Sequence, residues 1–94
     1  MFDIRRGANG EIILSGRLDA AQADRVREEL KNLNTSCEVS FEHLEYISSA
    51  GLGVLLGVQK RLSAHGQGLT LTRMNRHIRE LFTIAGFNHV FTIK

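Results

Sequence analysis

Two adjacent serines, Ser48 and Ser49, carry the densest chemistry of the chain. They stand between a short apolar stretch ending in Tyr46-Ile47 and a periodic apolar run that opens Ala50-Gly51-Leu52-Gly53-Val54-Leu55-Leu56. A strand-to-helix junction at this point puts a hydroxyl at the electropositive end of a helix dipole, beside backbone N–H groups that lack intrahelical acceptors. Such a position suits an anion, and a serine acquires one on phosphorylation. The competing role is plain capping, since serine is among the preferred N-cap residues and satisfies one of those free N–H groups.

No other set of reactive groups assembles. The histidines at positions 43, 65, 77 and 89 have no zinc-ligand spacing, and the single Cys37 forms neither an intrachain disulfide nor a thiolate metal site. Glu42, His43 and Glu45 sit in a short connector and make no acid–base set. Gly51-x-Gly53 followed by Gly57 is no phosphate-binding loop, because no Gly-Lys-Ser/Thr follows. Arg73, Arg76, His77 and Arg79 form a local basic patch, but the chain has no Trp and one Tyr, so the stacking groups of a nucleic-acid binder are missing. A solvated helix face accounts for those charges. The expectation is a protein that is not an enzyme, with no cofactor, no metal and no direct nucleic-acid contact.

The helix that follows the serines has two unlike sides. With Leu55 at the centre of the inner side, helical geometry brings Gly51, Leu52, Val58 and Leu62 with it. Gly53, Leu56, Gly57 and Lys60 then face outward. Each glycine inside a helix costs about 1 kcal/mol relative to alanine, and two sit four residues apart on that outer stripe. Either they allow close packing within the domain, or they keep a flat surface open for another protein, with Leu56 as its apolar anchor. The candidate partner-binding set is therefore Ser48, Ser49, Ala50, Gly51, Gly53, Leu56, Gly57 and Lys60.

The elements that must position this set are legible along the chain. Phe2 to Arg6 and Glu11 to Leu18 read as strands joined by an Asn9-Gly10 hairpin turn. Asp19 with Gln22 forms a capping-box pattern ahead of a helix whose stripe is Ala23, Val26, Leu30 and Leu33. Asp19 is also placed to support the serine loop, because strand ends and helix starts gather at one edge of such sheets. Cys37 to Phe41 reads as a buried strand, with Leu44 to Ile47 carrying the chain on to the serines. The second helix runs from about Ser49 to His65 and closes at Gly66, and Gly68 to Thr72 is a further strand. Asn75 caps a third helix with Ile78, Leu81, Phe82 and Ala85 on one face, and Gly86-Phe87 ends it. Val90 to Ile93 is a last short strand. The order ββαβαβαβ predicts an α/β domain with a mixed, mostly parallel sheet of four to five strands and three helices.

Ninety-four residues, 43% hydrophobic and 23% charged, fit one soluble globular domain with a single core. A formal charge of +2 is too small to imply an electrostatic partner. No apolar run approaches a membrane span, no signal peptide is visible, and one thiol suits a reducing compartment, so a complete cytoplasmic domain is expected.

Three segments resemble the STAS domain of bacterial anti-sigma factor antagonists. Leu14-Ser15-Gly16-Arg17-Leu18-Asp19 is similar to the L-x-G-x-L-D segment before that family's first helix. Ile47-Ser48-Ser49-Ala50-Gly51-Leu52-Gly53-Val54-Leu55-Leu56 resembles its I-D-S-S/A-G-L-G-V-L-L signature. Asn75 to Phe82, Gly86-Phe87 and Val90 to Ile93 are similar to its third helix and closing strand. The resemblance implies a partner-switching transcription regulator, phosphorylated by a serine kinase of the histidine-kinase-like ATPase type that doubles as the anti-sigma factor. A PP2C-type phosphatase would reverse the modification. The phosphoacceptor matched by the signature is Ser49, with Ser48, which replaces the usual aspartate, as second candidate. Many family members continue into a further helix at the point where this sequence reaches Lys94, directly after its last strand. The alternative implied by the fold is a non-switching STAS scaffold subunit, for instance in an ABC-type lipid transport or stress-sensing assembly.

Overall fold

A computed structural model describes residues 1–94. The expected elements form in the expected order: β1 (Phe2–Arg6), β2 (Ile12–Leu18), α1 (Ala23–Leu30), β3 (Cys37–Ile47), α2 (Ser49–Ser63), β4 (Leu69–Thr72), α3 (Arg76–Ile84) and β5 (Thr92–Ile93). The five strands lie side by side in sequence order. β1 pairs antiparallel with β2, and every later pairing is parallel. Right-handed crossovers that always step the same way place their helices on the same face of the sheet.

Alternation along the strands fixes that face. Ile12, Leu14, Leu18, Val39, Phe41, Leu69 and Leu71 point into the core, where they meet Val26 and Leu30 of α1, Leu55 and Leu62 of α2, and Ile78 and Phe82 of α3. Ile13, Ser15, Glu38, Thr70 and Thr72 line the opposite, uncovered face. This is the pattern of a sheet that buries one side only.

β3 departs from the sequence reading. It runs unbroken from Cys37 to Ile47 instead of stopping at Phe41. Its pairing with β2 slips twice, between Ile13 and Ser15 and between Gly16 and Arg17, and each slip inserts one extra residue into β3. The two insertions let Val39, Phe41, Leu44 and Ile47 all face the core although their spacing is not strictly alternate. Period-two reading cannot carry a strand through bulges, so that segment looks like a connector in the sequence.

The helix ends are set by short-range hydrogen bonds. Asp19 Oδ1 accepts from the Gln22 N–H at 3.2 Å, but what it caps is a 3₁₀ turn over Ala20–Gln22, and α1 proper begins at Ala23. Gln22 thus contributes its backbone N–H to the cap. Asn75 Oδ1 accepts from the Ile78 N–H at 2.8 Å and starts α3 as expected. Gly86 closes that helix in the left-handed conformation, φ +78°, which a residue without Cβ adopts at no steric cost. Ala85 is exposed, not on the buried face, because α3 already ends at Ile84. A 3₁₀ turn over Phe87–His89 then shortens the last strand to two residues and leaves Val90 exposed.

Candidate functional site

The parallel pairing of β2 with β3 decides where α2 starts. Leu18 lies opposite Ile47, and the Ser48 N–H donates to the Leu18 carbonyl at 2.8 Å. That bond holds Ser48 extended, at φ −86° and ψ 169°, so the first helical residue is Ser49. Ser48 is therefore the N-cap. Its Oγ accepts from the Gly51 N–H at 3.1 Å, and its carbonyl accepts from Leu52 at 2.9 Å.

The neighbouring serine is left free. Ser49 is exposed at the first position of the helix, and its hydroxyl makes no hydrogen bond within the chain. The N–H groups of Ser49 and Ala50 precede the first intrahelical bond and so have no helical acceptor. No acidic residue lies in the first turn of α2, so the helix dipole is not neutralised there by a carboxylate. The two serines, ambiguous in the sequence, have separate positions: one hydroxyl is spent on the cap and the other points to solvent.

Asp19 follows Leu18 directly and stands at the same end of the sheet as the serines. It is half-buried and engaged with Gln22, and its tie to the serine junction runs through the Ser48–Leu18 backbone bond. Arg17 and Tyr46, one register step below, stack with the guanidinium 4.3 Å from the ring centroid. They lie on the uncovered side of the sheet, and the sequence reading gave them no role. An Arg next to a Tyr is not a legible signal until the strands are paired.

Gly53, Gly57 and Lys60 are exposed on α2 as expected. A Cβ at Gly53 or Gly57 would meet nothing within 4 Å, and neither glycine has a positive φ. Packing inside the domain thus does not require either one. Alanine at each position is expected to raise stability by up to about 1 kcal/mol, seen as a higher urea midpoint; a lower midpoint for both variants would show a packing role after all.

Two members of the candidate surface lie elsewhere. Gly51 is buried, and a Cβ there would stand 2.8 Å from Leu18 Cγ and 3.1 Å from Ile47 Cγ1, so this glycine lets α2 approach the sheet and does not face outward. Leu56 is half-buried and packs against the core, so it is not a protruding anchor. It shares the flank of α2 on which Gln59 donates to the Val90 carbonyl at 3.0 Å. The inner side of α2 is centred further towards Val54 than the sequence placed it, because α1 covers that flank.

The glycine stripe opens instead into a groove of about 300 Å³ between α1 and α2, floored by Val54 and Val58 and rimmed by Arg27, Lys31 and Arg61. Arg61 also donates to the carbonyls of Leu30 and Leu33 and so closes the end of α1. Arg27 and Lys31 pair with Asp24 and Glu28 on their own helix. This basic rim was not visible in the sequence, since it joins residues of two helices about thirty positions apart.

The chain is similar to known proteins over nearly its whole length. Residues 3–93 match the family model described as "Mlab, STAS domain". BtrV of Bordetella bronchiseptica, which carries the name of an anti-sigma factor antagonist, is 36% identical over 84 residues, covering 85% of this chain and 72% of BtrV. The anti-sigma-B factor antagonist of Bacillus subtilis is 26% identical over 95 residues, covering 97% of this chain and 87% of that protein. In fold, the chain is similar to the Bacillus cell fate determinant SpoIIAA in its phosphorylated form, with TM-score 0.72 and 20% identity over 100% of this chain and 91% of that one. A Thermotoga maritima structure described as an anti-sigma factor antagonist gives TM-score 0.79 and 20% identity, covering 99% and 85%. With a family match along nearly its whole length, the chain belongs to the STAS domain family, among the anti-sigma factor antagonists.

Proposed function

We propose that this protein is a phosphorylatable antagonist whose switch is the Ser49 hydroxyl. Unphosphorylated, it binds a serine kinase of the histidine-kinase-like ATPase type that is also the anti-sigma factor, and so frees a sigma factor or another output protein. The kinase transfers phosphate to Ser49, the complex separates, and a PP2C-type phosphatase restores the binding form. The contact surface runs from Ser49 and Ala50 along Gly53, Gly57 and Lys60, with Ser48 holding the helix start and Asp19 supporting the loop.

The observation that carries this reading is the division of labour between the serines: Ser48 is occupied as the cap and Ser49 is exposed and unbonded. A kinase needs a hydroxyl that leaves no broken bond behind. Phosphate adds roughly −1.5 to −2 charges, and at the first position of α2 the helix dipole favours that charge. The domain itself therefore tolerates the modification, and the energetic cost falls on the partner interface, where charge and bulk enter a desolvated contact.

Incubation with the cognate serine kinase and ATP tests this by intact mass. A gain of about 80 Da, one phosphoryl group, is expected for the native chain and for Ser48→Ala, and none for Ser49→Ala. No gain in any of them favours the non-switching scaffold role; a gain retained in Ser49→Ala but lost in Ser48→Ala moves the switch to the neighbouring serine.

A further inference from the structure

The sheet ends at β1, whose outer edge has no neighbouring strand. In an antiparallel pair, residues alternate between those that exchange hydrogen bonds with the neighbour and those whose backbone polar groups face away. The Gly7 N–H donates to the Glu11 carbonyl at 2.7 Å. Counting back by twos from that pair puts Arg5, opposite Ile13, and Asp3, opposite Ser15, among the bonded residues. Phe2, Ile4 and Arg6 must then turn their backbone N–H and C=O outward. Arg25 of α1 agrees with this phase: it reaches round the edge and its Nη1 donates to the Phe2 carbonyl at 3.3 Å.

We propose that this edge is self-complementary, and that two copies of the chain associate by antiparallel β1–β1 pairing centred on Ile4. Charge selects the register. Centred on Ile4, Phe2 faces Arg6 of the second copy and Asp3 faces Arg5, twice over by symmetry. The outward polar groups of Phe2, Ile4 and Arg6 then meet their counterparts, and the charged residues fall at the closely spaced, non-bonded positions, where opposite charges are favourable. Centring on Asp3 or on Arg5 would instead set Asp3 opposite Asp3 or Arg5 opposite Arg5, and like charges directly opposite are unfavourable. Arg5 is exposed and makes no ion pair within one copy. The other edge of the sheet, β5, has only two residues and offers no comparable ladder.

Arg25 is the latch that opposes the pairing. Besides the Phe2 carbonyl, it holds Asp3 through Nη2 at 3.1 Å, so it engages two groups that the second copy needs. In the dimer the ten strands form one sheet with all helices on the same side. The antiparallel two-fold sends the Ser49 ends in opposite directions, so the two surfaces do not obstruct each other. The pairing requires no phosphate on Ser49.

A single strand edge buries less than the roughly 1,200–2,000 Å² of a stable interface, so the dimer is weak, with a dissociation constant on the order of 100 μM. Sedimentation equilibrium of the full chain, at concentrations bracketing that value, is the test. Arg25→Ala is expected to tighten association about three- to fivefold, the range of one exposed ion pair. Arg5→Asp, which leaves the Arg25 latch intact and sets carboxylates opposite each other, should weaken it at least about tenfold. The double exchange Asp3→Arg with Arg5→Asp should return it to within about threefold of the native value. These side chains are exposed, so folding is not at stake. Monomers throughout in both the native chain and Arg25→Ala, or a dimer indifferent to Arg5→Asp, would overturn the proposal.

Discussion

Replacing Ser49 with aspartate is expected to weaken binding to the serine kinase more than about 100-fold, the equivalent of roughly 3 kcal/mol, without unfolding the domain. The two halves of that expectation have separate causes. Within the domain, a carboxylate at the first position of α2 replaces a hydroxyl that makes no bond and meets a dipole with no acidic neighbour. A charge so placed is worth about 0.3–1 kcal/mol, so the melting temperature should hold or rise by a few degrees. In the proposed interface, the same charge stands where the partner would approach the helix and Gly53. A desolvated carboxylate without a counterion outweighs any gain from the dipole. Calorimetric titration beside thermal melting separates the two: native-like affinity would remove Ser49 from the interface, whereas a large fall in melting temperature would mean that the variant tests folding instead. Ser48→Asp is the control, since the Gly51 N–H at 3.1 Å from the Ser48 hydroxyl suits a carboxylate cap.

The largest effect on stability is expected at Phe82. Its ring lies edge-on to three others, with centroids 5.8 Å from Phe41, 6.1 Å from Phe87 and 5.7 Å from Phe91. It is fully buried, and it joins α3 to β3 and to the segment leading into β5. Phe82→Ala removes those contacts and leaves a cavity that the three rings around it would have to move to close, at a cost of about 3–5 kcal/mol. Domains of this size have on the order of 5–15 kcal/mol in total, so the midpoint of urea unfolding should fall sharply. Ile84→Ala on the same helix, where the side chain is 84% exposed, should change stability by less than about 0.5 kcal/mol. Equal effects at the two positions would refute the view that α3 is held by its aromatic face.

These two residues also differ in how far the sequence reveals them. Phe82 belongs to an i, i+3, i+4 stripe behind an Asn cap, and both signals are local, so the inward face of α3 is readable apart from Ala85. The caps at Asp19, Asn75 and Gly86, the hairpin at Asn9-Gly10 and the stripe Ala23, Val26, Leu30 and Leu33 are legible for the same reason. Each rests on hydrogen bonds or periodicity within a few residues. The family likeness is legible too, because it is carried by contiguous runs. The serine pair is legible as a site but not as two roles, since either hydroxyl can cap a helix that starts one residue earlier or later.

The sequence by itself determined the order of elements, the family, and the presence of a hydroxyl at the head of a glycine-bearing helix. Tertiary structure alone decided that Ser48 is the cap and Ser49 the free group, because the choice rests on the Ser48 N–H reaching the Leu18 carbonyl, thirty residues away. It also carried β3 through two bulges, set Leu56 against the core, and opened the groove between α1 and α2. Local rules fix which atoms need partners; only the packing of distant segments fixes which partners arrive.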